Sequence, residues 1–135
     1  MQIAWKDEYD LGIASIDTQH RKIIGIINGL ARSMEQDDPS EDVARAIEEM
    51  RRYAEDHLSY EERLFDECGY AGMDDHRREH DTFRETIEEF CERAKAHNNP
   101  IVAIELLGYL EEWLLEHILV SDRRYVETFK SCGVR

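Results

Sequence analysis

Residues 43–68 read Val43-Ala-Arg-Ala-Ile-Glu-Glu-Met-Arg-Arg-Tyr-Ala-Glu-Asp-His57-Leu-Ser-Tyr-Glu61-Glu-Arg-Leu-Phe-Asp-Glu-Cys68. Val43, Ile47, Met50, Ala54, His57, Glu61, Leu64 and Cys68 follow one another in unbroken alternation of four and three, the spacing of a single helical face. The apolar members predict a long helix buried along one stripe. The exceptions, His57 and Glu61, stand one turn apart on that stripe, so an imidazole and a carboxylate are carried into the core together.

The same pattern extends in both directions. Downstream, His76, His80, Phe83, Ile87, Phe90 and Ala94 again alternate by four and three, which puts two more histidines in core-facing slots. Upstream, His20 continues the face of Ile23, Ile24, Ile27, Leu30 and Met34; near the end, His117 continues Ala103, Leu106, Leu110 and Leu114. Between these segments lie breakers: Gln36-Asp-Asp-Pro-Ser40, His97-Asn-Asn-Pro100, and Cys68-Gly-Tyr-Ala-Gly72 with Asp74 and Asp75 as candidate helix N-caps. Four helices are predicted over residues 16–36, 40–68, 74–97 and 100–129. Short connections between such faces make an all-α, up-down-up-down four-helix bundle, one domain spanning residues 1–135. Trp5, Tyr9, Leu11 and Ile13 are spaced too irregularly for a helix and predict an extended N-terminal arm packed on the bundle.

A chain of 135 residues suits one domain with a real core. Acidic residues outnumber basic ones 31 to 17, a formal net charge of -14, and no stretch gathers Lys or Arg as a phosphate-binding face would. Nucleic acid and membrane insertion are therefore not expected. The N-terminus has no signal-peptide pattern, so a cytoplasmic location is expected, and the chain is expected to be a monomer. Cys68, Cys91 and Cys132 are an odd set without CxxC spacing, which predicts reduced thiols that fill apolar space.

A single imidazole on an inner helical face is ordinarily a hydrogen-bonded core residue. Five of the six histidines on such faces, all but His97, together with Glu61, are another matter, because the same stripes carry almost no neutral polar partners. Buried charge has to be paired or bound to metal. Five imidazoles are too many for one tetrahedral zinc and suit two six-coordinate-capable ions with a position left open. The chain has no Glu-x-x-His and no His-Glu-x-x-His, the patterns of ferritin-like and zinc-hydrolase sites. His97, next to Asn98 and Asn99 at a helix end, reads as a solvated capping residue.

Asp17-Thr-Gln-His20, His57-Leu-Ser-Tyr-Glu61, His76-Arg-Arg-Glu-His80 and His117-Ile-Leu-Val-Ser-Asp122, with the lead-in Leu11-Gly-Ile-Ala-Ser-Ile-Asp17, resemble the hemerythrin family and, within it, single-domain bacterial members. The resemblance implies two iron ions bridged by an oxo or hydroxo group. His76, His80 and His117 would bind one, His20 and His57 the other, and Glu61 and Asp122 would bridge them. It also implies reversible dioxygen binding at an open position on the second iron, for carriage, storage or delivery to an oxygen-consuming enzyme, with no catalytic residue. A di-iron oxidase, peroxidase or nitric-oxide reductase, or an oxygen or redox sensor, is the alternative. Helix geometry proposes Ile23, Leu58, Trp113, Leu114 and Ile118 as the wall of the oxygen pocket.

One spacing departs from the rest. His117 and Asp122 are five residues apart, which in an ideal α-helix turns one side chain about 140° from the other. The apolar register slips at the same place: continuing Leu110, Leu114 and His117 by four would bring Ser121 inward, whereas the later inward candidates are Asp122, Tyr125 and Phe129. A single π-type turn absorbs one extra residue in this way and is predicted between 117 and 122.

Overall fold

The structure, a computed structural model, describes residues 3–35, 40–96 and 100–135. The turns predicted around Pro39 and around His97 lie outside the described residues, and with them the capping role of His97. Four long helices form: α1 (Ala14–Ser33), α2 (Ser40–Cys68), α3 (Met73–Ala96) and α4 (Pro100–Glu116), the last continued by further turns to a short α5 (Val126–Ser131). Each packs on its neighbour in the chain, and α1 also packs on α4, which closes the bundle. No strand occurs among the described residues.

The stripes read from the sequence are the faces that meet. Ile47, Met50, Ala54 and Leu64 of α2 join Ile23, Ile24, Ile27 and Leu30 of α1, Phe83 and Ile87 of α3 and Leu106, Leu110 and Leu114 of α4 in one buried cluster. The arm packs on this bundle through Ile3, Tyr9, Leu11 and Ile13, with one 3-10 turn at Asp7–Tyr9. It is held by Asn28, which exchanges two hydrogen bonds with the backbone of Ile3, and by Asp17, whose carboxylate accepts the backbone N–H groups of Leu11 and Gly12 at 2.9 and 3.1 Å. Gly12 turns there with φ +80°, a conformation that favours glycine. Asp74 and Asp75 fall inside the first turn of α3, which begins at Met73, where the partial positive charge of the helix end favours them.

The fourth helix changes pitch after Glu116. Residues His117–Ser121 form a π-helix, in which the N–H of Asp122 donates to the carbonyl of His117, five residues back, and a 3-10 turn follows over Asp122–Tyr125. The extra residue is absorbed where the slipped register requires it. Asp122, Tyr125 and Phe129 are all fully buried as a result.

The cysteines require a correction. Cys68 and Cys132, expected as separate reduced thiols, are joined in a disulfide, and only Cys91 is free and buried. The reason is convergence of two helix ends. Cys68 ends α2 and Cys132 follows α5, each is followed by a glycine at positive φ (Gly69, +63°; Gly133, +88°), and in each case the next N–H returns to a carbonyl five residues back, Tyr70 to Phe65 and Val134 to Phe129, both at 3.0 Å. The paired Cys-Gly steps are alike because both end a helix in the same way. Nothing in a separation of 64 residues announces that the two ends touch.

Candidate metal centre

All four long helices supply donors, and each donor is there because its helix turns an inner stripe toward the bundle axis. His20 comes from α1, His57 and Glu61 from α2, His76 and His80 from α3, His117 from the π-turn that extends α4, and Asp122 from the 3-10 turn that follows it. All seven are buried. They form two groups whose ligand atoms lie within 4.8 Å of one another: Glu61, His76, His80, His117 and Asp122, and His20, His57, Glu61 and Asp122. Both carboxylates are common to the two. No cysteine belongs to either.

In the first group His76 Nε2 lies 3.0 Å from His117 Nε2, and both lie 3.0 Å from Asp122 Oδ1. His80 Nε2 is 3.3 Å from His117 Nε2 and 3.4 Å from Glu61 Oε1. In the second, His20 Nε2 is 3.1 Å from His57 Nε2 and 3.1 Å from Asp122 Oδ2, while His57 Nε2 is 3.2 Å from Glu61 Oε1. Asp122 therefore offers one oxygen to each group.

The outward ring nitrogens of His57 and His80 are already engaged. His57 Nδ1 meets the Gln19 amide oxygen at 2.6 Å, and His80 Nδ1 meets Glu62 Oε2 at 2.8 Å. An imidazole that donates through Nδ1 turns a lone pair inward through Nε2. Those two lone pairs face Glu61 Oε1 at 3.2 and 3.4 Å, acceptor against acceptor, and among the described residues the four oxygens of Glu61 and Asp122 have no aligned hydrogen-bond donor. Buried donors and carboxylates converging in this way are what a cation would satisfy, so the residues fit a metal.

Protons are the competing occupants. Burial opposes charge on His80, but the Glu61 and Glu62 carboxylates beside it outweigh it and hold the imidazole up at about 9. Burial likewise opposes charge on His20, which the neighbouring Asp122 carboxylate nevertheless raises, while His57 is driven down by burial. Burial would raise Asp122, yet the imidazoles around it, His117 foremost, keep its carboxyl well below the usual range. Glu61 is lowered as well, against burial and the charge of Asp122, by His57 and His80.

Aromatic rings brace the ligands. Trp113 stacks on His117 with centroids 4.3 Å apart, Phe83 stacks on Trp113 at 4.0 Å, and Tyr125 stacks on His76 at 5.6 Å. Between His20, His57, His117 and Asp122 lies a small cavity of about 10 Å³, scarcely the room of one water. Ile23, Leu58, Trp113 and Leu114 line it, as do Met50, Ala54 and Phe83, which the sequence did not single out. Ile118 is fully buried in the core but is not part of the lining.

Sequence reasoning also passed over Gln19, Glu62 and Glu79, the last of which approaches His117 Nδ1 at 3.7 Å. Their signal is adjacency. Each is the chain neighbour of a donor on its own helix and serves a histidine of the following one: Gln19 beside His20 serves His57, Glu62 beside Glu61 serves His80, and Glu79 beside His80 faces His117.

A family model described as the hemerythrin HHE cation binding domain matches residues 11–129. A bacteriohemerythrin of Clostridium acetobutylicum is 34% identical over 126 residues, covering 91% of this chain and 98% of that protein. One from Pseudomonas aeruginosa is 33% identical over 128 residues, covering 95% and 82%. The crystal structure of a wild-type hemerythrin shares the fold, with a TM-score of 0.84 at 20% identity over 95% of this chain and 98% of that one. No helix among the described residues is long and apolar enough to cross a membrane.

Proposed function

Because the chain belongs to the hemerythrin family, we propose that it binds dioxygen reversibly at a di-iron centre, as a carrier, a store or a donor of oxygen to an oxygen-using partner. His76, His80 and His117 would hold one iron in this reading, His20 and His57 the other, and Glu61 and Asp122, which belong to both groups, would serve the two together. The observation that supports it most is Asp122, which presents Oδ1 to one donor group and Oδ2 to the other beside a small apolar cavity. Iron, when bound, supplies the electrons and the open coordination position that dioxygen needs.

The rest of the work falls to the side chains. Gln19 and Glu62 keep His57 and His80 in the tautomer that aims Nε2 inward, so the donors are oriented before a metal arrives. The rings of Trp113, Phe83 and Tyr125 restrict rotation of His117 and His76. Ile23, Leu58 and Leu114 exclude water from the cavity, and among the described residues its titratable lining groups are His20, His57, His117 and Asp122, all committed as ligands. An oxidase or peroxidase would need a proton donor at this wall, so the lining favours binding over turnover.

Metal analysis tests the ligand set. The purified chain is expected to carry two irons, and Cys91→Ser is expected to keep both. His57→Ala and His80→Ala are each expected to lose at least one. A single four-coordinate metal, or full occupancy in both histidine variants, would refute the assignment.

A further inference from the structure

The two donor groups are backed by different chemistry. In the three-histidine group, His80 Nδ1 meets the Glu62 carboxylate at 2.8 Å, and Arg84 binds that same Glu62 oxygen at 2.8 Å while its Nε is held by Glu55, also at 2.8 Å. His117 Nδ1 faces a second carboxylate, Glu79, at 3.7 Å, whose other oxygen accepts the Ser121 hydroxyl at 3.0 Å. In the two-histidine group, His57 Nδ1 donates to a neutral amide, Gln19, and the buried Nδ1 of His20 has no partner among the described residues. Two Nδ1 atoms of the first group thus face carboxylates, and neither Nδ1 of the second does.

This difference has a direct electronic consequence. A carboxylate accepting the Nδ1–H draws that proton outward and gives the imidazole partial imidazolate character, which strengthens Nε2 as a donor and stabilises the higher oxidation state of its metal. An amide oxygen does the same more weakly, since hydrogen bonds to ionised acceptors are roughly twice as strong as neutral ones. Arg84 and Glu55 fix the Glu62 side chain, which is only 21% exposed, so that its charge stays aimed at His80.

We propose that Glu62, clamped by Arg84, is a positioning residue that makes the two metal positions unequal: the His76, His80 and His117 position gives up its electron first, and the His20 and His57 position, backed by Gln19, gives up its electron second. The inference rests on the di-iron reading above. It concerns removal of one electron at a time to a soluble oxidant, with no bond made or broken in the protein.

Potentiometric titration of the iron-loaded protein with dissolved mediators, resolving its two one-electron oxidations, tests it. Glu62→Gln keeps the shape of the side chain and removes its charge. It is expected to lower the oxidised-to-reduced ratio of the first couple at fixed potential by tenfold or more, about 59 mV for one electron, and to leave the second nearly in place. Gln19→Glu, on another helix, is expected to move the second couple by a similar factor in the opposite sense. A lower melting temperature in Glu62→Gln with both couples unmoved would make Glu62 merely structural and overturn the proposal, as would equal shifts of both couples. Iron content of the unaltered chain is measured first: without two irons the di-iron reading falls and takes this inference with it, whereas two irons and two unmoved couples sink the inference alone.

Discussion

Leu114 stands one turn before His117, 4% exposed, and lines both the apolar core and the small cavity beside the donors. Leu114→Ala is expected to have two effects. Removing the side chain from a packed site should cost about 2–5 kcal/mol of stability, and the widened cavity should admit water and small anions, so that the iron-loaded protein loses its oxygen-binding form by oxidation several times faster. Stopped oxygenation followed over hours checks this; an unchanged oxidation rate with the expected loss of stability would make Leu114 a packing residue alone. Six of the seven clustered side chains, the five histidines and Glu61, were legible in the sequence because each interrupts or extends an inner stripe where an apolar residue belongs; Asp122 came from the family resemblance, and the structure brings all seven together. Gln19, Glu62 and Glu79 were not. They sit one position off those stripes, where a polar side chain reads as an ordinary boundary residue, and only the packing of adjacent helices turns each toward a histidine.

The π-turn of the fourth helix is where a local rule of sequence had to be broken to serve the centre. It was legible for that reason: a five-residue separation between His117 and Asp122 and the slip that brings Tyr125 and Phe129 inward cannot both be met by an uninterrupted α-helix. Val120, 45% exposed, lies in that turn, and deleting it would leave His117 and Asp122 four apart in a regular helix, the relation His57 already has with Glu61. The Val120 deletion is therefore expected to fold and to keep two metals per chain. Deleting the exposed Glu116 instead rotates His117 by about 100° away from its stripe and is expected to cost at least one metal. Metal content of the two variants decides the matter, and equal loss in both would show that the turn does more than absorb a residue. The helix bodies were equally legible, but their ends were not all so: α3 starts at Met73 rather than behind an aspartate cap, because Gly69 and the Tyr70 return to Phe65 end α2 and set the entry of the chain.

Over the whole molecule the bundle is tied at one end by the Cys68–Cys132 bridge, which joins the end of α2 to the segment after α5. This was illegible from composition, since it depends on two helix ends meeting in space rather than on any spacing between cysteines. Near the same end Phe65, Tyr70, Tyr125 and Phe129 pack ring against ring behind His76. Closing a loop of 64 residues restricts the unfolded chain, and Cys132→Ser is expected to lower stability by about 2–4 kcal/mol while metal content stays the same, because no cysteine contributes to either donor group. Denaturant titration with and without the bridge checks this; an unchanged midpoint would mean the ring cluster alone holds that end. The account as a whole stands on reversibility. The most direct test takes the reduced, iron-loaded protein through repeated cycles of oxygen exposure and removal while its absorption spectrum and the dissolved oxygen are followed together. The account predicts one dioxygen taken up per two irons, a new spectrum on uptake, and recovery of both the starting spectrum and the oxygen on removal. Oxygen that is consumed and not returned, or a spectrum that does not change, would contradict it.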